Sequence, residues 1–486
     1  MNASALYDDV ADACRRAGDR TALGEGADRL SYRELAVAVA ARAIDVDEAL
    51  RGRATDRVAL HAANSVEYVV TYLALLRTGR VPLLVDAEFG GSELAAIREG
   101  CGVEVFLVDQ PRVERVPHAE RVVPLRGDRY AVVTTAPVAD DPPALHPDTA
   151  VCRFTSGSTG SPKCLEFSRT AVVNAARNWV EGTGMTADDR TLCLAALTNG
   201  LAFNTSLLST FLVGAELHLF RGLPTSARVL RAMADSGATR LVAFPAVYRV
   251  LADADLPADR FAGLAVSFSA GAPLPPDVRA RFEQRYSVRI ADYYGIAETG
   301  PCTFERDPAH RRGLGTPLPG VTLRITRNAA GQQEVMVRSS SMATRYLNAP
   351  GVLEAARDAD GFHPSGDTGH WEGGRLFVTG RTGGPVNLAG RKVDPREVEQ
   401  VVRAVPGVRD AVVFADRDAD DQVFLHAAVA ADGSVGRTDV VAACRGSLAP
   451  FKVPQKVTFV PDVPRSSPGK VRMTDLLRLV RGGGEG

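Results

Sequence analysis

Lysine is nearly missing from this chain. Of 57 basic residues only five are lysines: Lys163, Lys392, Lys452, Lys456 and Lys470. Arginine supplies the rest, against 58 acidic residues, for a net charge of −1. A balanced chain has no global field to draw it to nucleic acid or to an anionic membrane, so neither is expected as a partner. No apolar run reaches the length of about 18 residues that a membrane-spanning helix needs. The start, MNASALYDDVADACRRAGDR, lacks the basic-then-apolar layout of a signal peptide, and a cytoplasmic location is the expectation. The seven cysteines (Cys14, Cys101, Cys152, Cys164, Cys193, Cys302 and Cys444) are scattered, odd in number and free of C-x-x-C spacing. They predict reduced, buried thiols rather than a zinc site or a disulfide frame. The scarcity of lysine makes each one worth a question, because its compact charge suits phosphate oxygens.

What is present is an α/β texture in a chain of 486 residues, long enough for two or three units. Residues 32–44 have helical apolar spacing, with Ser31 as N-cap and Glu34 three residues on. Residues 57–60 read as a strand, 66–78 as a buried helix, 81–85 as a strand, 93–99 as a helix and 103–108 as a strand. This βαβα order predicts a mainly parallel sheet with helices on its faces. The alternation resumes later, with strands at 217–220, 240–243 and 264–267 and helices at 230–236 and 277–286. From about Gly313 short β-rich runs (321–325, 334–338, 376–378) predict a small sheet or barrel. Gly380-Arg381-Thr382-Gly383-Gly384-Pro385 reads as a linker. Beyond it, helices at 397–404 and 438–448 and strands at 410–414 and 423–430 make a compact α+β unit. The expected domains are 1–381 and 382–486.

Four strings can carry chemistry. Thr155-Ser156-Gly157-Ser158-Thr159-Gly160-Ser161-Pro162-Lys163 packs glycines, hydroxyls and a lysine into nine positions. Such a loop can turn its N–H groups toward a polyphosphate, though its spacing is not that of a Walker A loop. Tyr293-Tyr294-Gly295-Ile296-Ala297-Glu298-Thr299 offers aromatic faces for a flat base and a carboxylate for Mg²⁺ on ATP phosphates. In Ser365-Gly366-Asp367-Thr368-Gly369 an aspartate displayed on a glycine turn can accept both hydroxyls of a ribose. Pro464-Arg465-Ser466-Ser467-Pro468-Gly469-Lys470 puts a lysine on a loop near the C-terminus. Taken singly, each has a plainer reading: a solvated turn, a strand end with a surface glutamate, an Asx-turn, a tail charge.

Taken in order, the four strings resemble the motifs of the adenylate-forming superfamily: acyl- and aryl-CoA synthetases, luciferases and the adenylation domains of nonribosomal peptide synthetases. The chain is closest in character to the acyl- and aryl-acid AMP ligases. The first string resembles the family's S/T-S/G-G-S/T-T-G-x-P-K-G loop, with Cys164 where the family has glycine. The second resembles Y-G-x-T-E, with Ala297 in place of the threonine. Ser269-Ala270-Gly271-Ala272-Pro273-Leu274 resembles the turn that borders adenine and acid. Gly380-Arg381 resembles the family's G-R, followed at the hinge position by Gly383 where an aspartate or lysine is usual. Residues 386–399 and 449–454 resemble the acyl-CoA synthetase form of the C-terminal region.

The resemblance implies a large N-terminal region, of two α/β subdomains and a small β-barrel, followed by a small mobile C-terminal α+β domain. It implies ATP and Mg²⁺ as cofactors. Thr155, Ser156, Gly157, Ser158, Thr159, Gly160 and Lys163 would hold phosphates. Gly271, Ala272, Pro273, Tyr293, Tyr294 and Gly295 would border adenine, Asp367 and Arg381 the ribose, and Glu298 the metal. Lys470, Glu298 and Lys163 would be catalytic, with Lys470 bridging carboxylate and α-phosphate. The implied reaction joins a small carboxylic acid to AMP, then passes the acyl group to the thiol of CoA or of a carrier protein's phosphopantetheine.

The acid pocket implied by the resemblance draws on Asn199, Phe203, Asn204, Phe244, Ser269, Gly271, Tyr293 and Cys302. Residues 196–204 hold no acid, which disfavours an α-amino acid bound through its amino group, and no aromatic or histidine gate stands near Thr198 or Asn199. A modest aromatic or short acyl acid fits best. The plainer reading of Asn199 and Asn204 is helix capping and internal hydrogen bonding. Two rival functions stand beside this one. The first is an adenylating enzyme with other partners, handing its adenylate to an amine or activating nitrite to diazotise an arylamine. The second is a silent nucleotide-binding module. The chain ends soon after Lys470, so a carrier protein is expected to act in trans.

Overall fold

The computed structural model describes residues 2–127, 129–138, 142–155, 162–271, 274–307, 310, 312–328, 332–381, 386–388, 391–418, 422–464, 471 and 473–482. The chain divides into one unit of residues 1–87, 98–154 and 163–382 and another of 88–97, 155–162 and 383–486.

Short runs of branched apolar residues build the first unit. Arg57–His61, Val81–Val85 and Val105–Asp109 are buried along their whole length, as expected of parallel strands covered on both faces. With Thr149–Thr155 they form the parallel centre of an eight-stranded sheet. Antiparallel strands extend it on both sides. The helix Tyr32–Ala49 begins where the sequence predicts. Ser31 Oγ accepts from the Glu34 N–H at 3.2 Å, and Glu34 Oε2 accepts from the Ser31 N–H at 2.8 Å.

A second, nine-stranded sheet has the parallel strands Thr21–Glu25, Glu216–Leu219, Arg190–Cys193, Arg240–Ala243, Val266–Ser269 and Ile290–Ile296 in that spatial order. The third of the later predicted strands is displaced by two residues. Leu264 closes a 3₁₀ turn, its N–H bonded to the Phe261 carbonyl at 3.0 Å, and the strand starts only at Val266. The shift sets Ser269 at the strand's last position.

The β-rich region is an antiparallel sheet of Val321–Arg327, Gln333–Ser339, His363–Glu372 and Arg375–Arg381. Its order is linear, so among the described residues it is an open sheet. One expectation is corrected here. The segment around Asp367 is not a turn but the middle of the ten-residue strand His363–Glu372. Pro364, Gly366 and Gly369 argue locally against a strand, but a neighbour on each side supplies the ladder and overrides propensity. The cost appears as irregularity: Gly366 has φ 73° and the register shifts at Thr368/Gly369.

In the other unit, Val408–Arg417, Val423–Ala431 and Lys456–Phe459 form a three-stranded sheet. Val398, Val402, Val413, Leu425 and Val440 make one apolar core; Val412, Phe414, Leu476 and Val480 make a second. All seven cysteines of the chain are buried free thiols.

Candidate active site

The site residues gather because parallel strands end together. Ala243, Ser269 and Asp292 are in register across three neighbouring strands. Phe244 and Tyr293 each follow one of them by a single residue. The segment after Arg190–Cys193 leads into Asn199, Phe203 and Asn204 at the same edge. In open parallel sheets ligands bind beyond the carboxyl ends of the strands.

Thr155 closes one strand and Lys163 opens its neighbour, Lys163–Ser168. Lys163 Nζ stands 5.3 Å from the centre of the Tyr346 ring, a cation–π distance. The Tyr346 hydroxyl donates to Glu298 Oε1 at 3.0 Å. Burial, then the Glu298 charge, push the phenol well above its ordinary range, so it holds its proton and donates. One tyrosine thus joins the lysine of the first string to the glutamate of the second. Tyr346 is anchored in turn by the strand pairing Arg345 with Glu166 and Tyr346 with Leu165. Glu166 is fully buried and accepts from Arg345 Nε, from Thr149 Oγ1 at 2.8 Å and from the His146 N–H at 2.8 Å. Cys164 turns inward, its thiol against those of Cys101 and Cys152, while its N–H donates to Asn348 Oδ1 at 2.9 Å.

Tyr294 and Asp367 are both buried, and the Tyr294 hydroxyl donates to Asp367 Oδ2 at 2.7 Å. Burial, then the aspartate charge, hold the Tyr294 phenol well above its usual value. Arg381 ends its strand in register with Asp367. Gly295 has no room for a side chain: a Cβ there would lie 2.7 Å from the Gly300 carbonyl and 2.7 Å from the Tyr293 hydroxyl. Ala297 and Glu298 occupy the turn between Ile290–Ile296 and Gly300–Phe304, half-buried.

In the segment read as the acid pocket, Asn199 caps the short helix Gly200–Ala202, its Oδ1 accepting from the Leu201 N–H at 2.9 Å. The plainer reading of Asn199 therefore holds. A π-turn, Phe203–Leu207, follows and carries the buried Asn204; such turns recur at functional sites. Phe203 packs edge-on against Tyr72, centroids 6.0 Å apart. Tyr293 packs edge-on against Trp179 at 5.5 Å, and Trp179 also touches Phe268 and Phe304. Ser269 is buried at its strand end and Gly271 follows with φ 86°. Cys302 shares an apolar cluster with Tyr294, Ile296, Leu323, Val335 and Leu376, its sulfur 3.3 Å from Thr299 Oγ1.

Ser156, Gly157, Ser158, Thr159, Gly160, Ala272, Pro273, Gly383 and Lys470 lie outside the described residues. Sequence reasoning missed Tyr346, Trp179, Tyr72 and Arg153. Only Arg153 left a signal, a charge interrupting the apolar strand Ala150-Val151-Cys152-Arg153-Phe154. Among the described residues no three His, Cys, Asp or Glu side chains cluster as metal ligands, and no helix is long and apolar enough to cross a membrane.

Residues 10–347 match the family model of the AMP-binding enzymes, and residues 397–470 match that of the AMP-binding enzyme C-terminal domain. The chain is 26% identical to the benzoate–CoA ligase of Thauera aromatica, over 94% of this chain and 92% of that one. It is 28% identical to a feruloyl-CoA synthase of an Amycolatopsis species, over 94% and 95%. Among solved structures it superimposes on a malonyl-CoA ligase in a ternary product complex with methylmalonyl-CoA and AMP. The TM-score is 0.78 at 28% identity, over 92% of this chain and 97% of that one.

Proposed function

Since the chain belongs to the adenylate-forming superfamily of AMP-binding enzymes, we propose that it is an ATP-dependent, AMP-forming ligase of a small carboxylic acid. The acceptor is the thiol of CoA, and the acid is aromatic or short acyl. The observation that carries this reading is the meeting of Lys163 and Glu298 on Tyr346.

The first step is attack of a carboxylate oxygen on the α-phosphorus of ATP, with pyrophosphate leaving. Little covalent chemistry falls to the protein in such a step, which is mostly positioning and charge neutralisation. Lys163 sets one positive charge by the phosphates. Asp367, its carboxylate oriented by Tyr294, accepts from the ribose hydroxyls. Arg381 continues the same strand pair toward the nucleotide. Mg²⁺ fits the donor set: it is held by one or two carboxylates together with substrate phosphates, and Glu298 is a half-buried carboxylate kept in place by Tyr346. The metal supplies charge neutralisation on those phosphates. Lys470 stabilises the charge that builds between carboxylate and α-phosphate. The thiol of CoA then attacks the acyl carbon and AMP leaves, with residues 382–486 acting as a lid that turns at Gly383.

ATP–pyrophosphate exchange without CoA tests this, across benzoates, cinnamates, short acyl acids, amino acids and nitrite, with Lys470→Ala as control. Exchange with a carboxylic acid that is lost in the variant is the expected result. Addition of CoA, a phosphopantetheinylated carrier or an amine then identifies the acceptor. Turnover with nitrite and an arylamine alone, or ATP binding with no exchange, would replace the acid-ligase reading.

A further inference from the structure

Arg153 is a buried cation without a counter-ion among the described residues. It lies on the strand Thr149–Thr155, 4% exposed. Its guanidinium carbon is 4.3 Å from the centre of the Phe167 ring and 5.1 Å from that of Phe203. Two rings thus flank the group. Its Nε finds no acceptor, and among the described residues it makes no ion pair. Burial pulls its pKa down to about 10, against weaker attraction from Tyr293, Tyr72 and Glu298, so it is still charged at neutral pH.

Burying an ion costs several kcal/mol even after relaxation; a desolvated cation–π contact returns about 2 kcal/mol or more but gives the Arg153 Nε no hydrogen-bond acceptor. A second polar group shares the place. The Tyr72 hydroxyl is fully buried and has no hydrogen-bond partner among the described residues. Tyr72 and Arg153 act on each other's ionisation, and both flank Phe203. The chain also keeps space for the guanidinium: a Cβ on Gly200 would lie 2.7 Å from Arg153 Nη1. Gly200, Phe203 and Tyr293 all belong to segments assigned above to the acid pocket.

We propose that Arg153, with the Tyr72 hydroxyl, binds a second planar oxyanion on the substrate acid, the distal carboxylate of a dicarboxylic acid. A guanidinium presents parallel N–H donors that match a carboxylate in a two-point contact, and Tyr72 supplies a third donor. Neutral acids of the same shape leave the buried charge unanswered and are the poorer substrates. This assignment rests on the acid-adenylation reading and names the class of acid.

The test compares matched pairs, terephthalate with 4-methylbenzoate and succinate with butyrate, in wild type, Arg153→Met and Gly200→Ala. The Gly200→Ala variant keeps the arginine but displaces its head group. Two readouts are taken: pyrophosphate exchange, and thermal stabilisation by the acids alone without ATP. Stabilisation by MgATP checks that each variant is folded. In wild type the diacid is expected to exceed its partner at least tenfold in exchange and to give the larger thermal shift. Arg153→Met should bring each pair to within about twofold, by loss of the diacid and not of the monoacid. Gly200→Ala should fall between. Equal loss of both members would put Arg153 on the reacting carboxylate and overturn the proposal. An unchanged ratio, or no diacid preference in wild type by thermal shift, would overturn it too. Failure of exchange with every acid, while diacids still stabilise the protein through Arg153, would strike the adenylation reading and leave the oxyanion site standing.

Discussion

The Tyr294 hydroxyl donates to Asp367 Oδ2 at 2.7 Å, joining two strands 73 residues apart in the chain. The bond holds the orientation of the Asp367 carboxylate. It also satisfies a charge that is buried beside the antiparallel sheet. Hydrogen bonds to charged groups contribute about 1.5–3 kcal/mol, so the pair is a brace for the carboxylate proposed to hold the ribose.

Tyr294→Phe should therefore raise KM for ATP about tenfold while kcat changes less than threefold. Steady-state kinetics with ATP as the varied substrate checks this. Asp367→Asn should give the larger ATP defect, since it alters the carboxylate itself.

Tyr346 holds Glu298 but is not expected to touch substrate. Tyr346→Phe removes the hydroxyl and keeps the ring under Lys163. The expected outcome is a several-fold rise in the Mg²⁺ concentration for half-maximal activity, with little change at saturating metal. A Mg²⁺ titration reads it directly, and an unchanged requirement would remove Tyr346 from the metal site.

Gly295→Ala forces a Cβ to 2.7 Å from a backbone carbonyl and from the Tyr293 hydroxyl. The backbone cannot yield cheaply, so the hairpin or Tyr293 must move. Exchange activity is expected to fall at least tenfold, and the melting temperature by several degrees.

Much of this was legible beforehand. The parallel strands announced themselves as short runs of branched residues, and the Ser31–Glu34 cap by its spacing. Glu298, Asp367 and Lys163 are proposed from strings whose residue types suit that chemistry, and the structure brings Lys163 and Glu298 together on Tyr346. The strand at His363–Glu372 was hidden, because its glycines and proline signal a turn and only its two neighbours make it a strand. Tyr346 was hidden for a different reason. Nothing local marks a tyrosine that reaches a lysine 183 positions earlier and a glutamate 48 positions earlier. Arg153 was visible only as a charge out of place in an apolar strand.

Lys452 supplies a prediction for the unit of residues 88–97, 155–162 and 383–486. Its buried ammonium lies 2.6 Å from Glu397 Oε1 and 3.0 Å from Glu93 Oε1. Two carboxylates share one cation, with Asp394 nearby as a further negative charge. Burial is the main cause, and despite the pull of Lys452 the Glu397 carboxyl is raised from 4.5 to about 7. The folded state then binds this proton more tightly than the unfolded chain. The stabilisation is full below pH 4.5 and is lost as pH rises through 7. Hydrogen exchange in the helix Pro395–Arg403 should speed up between pH 5 and 7.5 beyond the intrinsic pH effect, by a factor reflecting roughly 3 kcal/mol at most. Glu397→Gln should flatten that excess, and an equal slope in both proteins would refute the assignment.

The central claim is that a carboxylate oxygen of the acid attacks the α-phosphorus and departs with AMP. It is tested most directly by running the full reaction with ¹⁸O-labelled acid and analysing AMP and pyrophosphate by mass spectrometry. One labelled oxygen in each AMP, with unlabelled pyrophosphate, is the predicted result. Label in pyrophosphate or orthophosphate, or AMP free of label while thioester forms, would contradict the account.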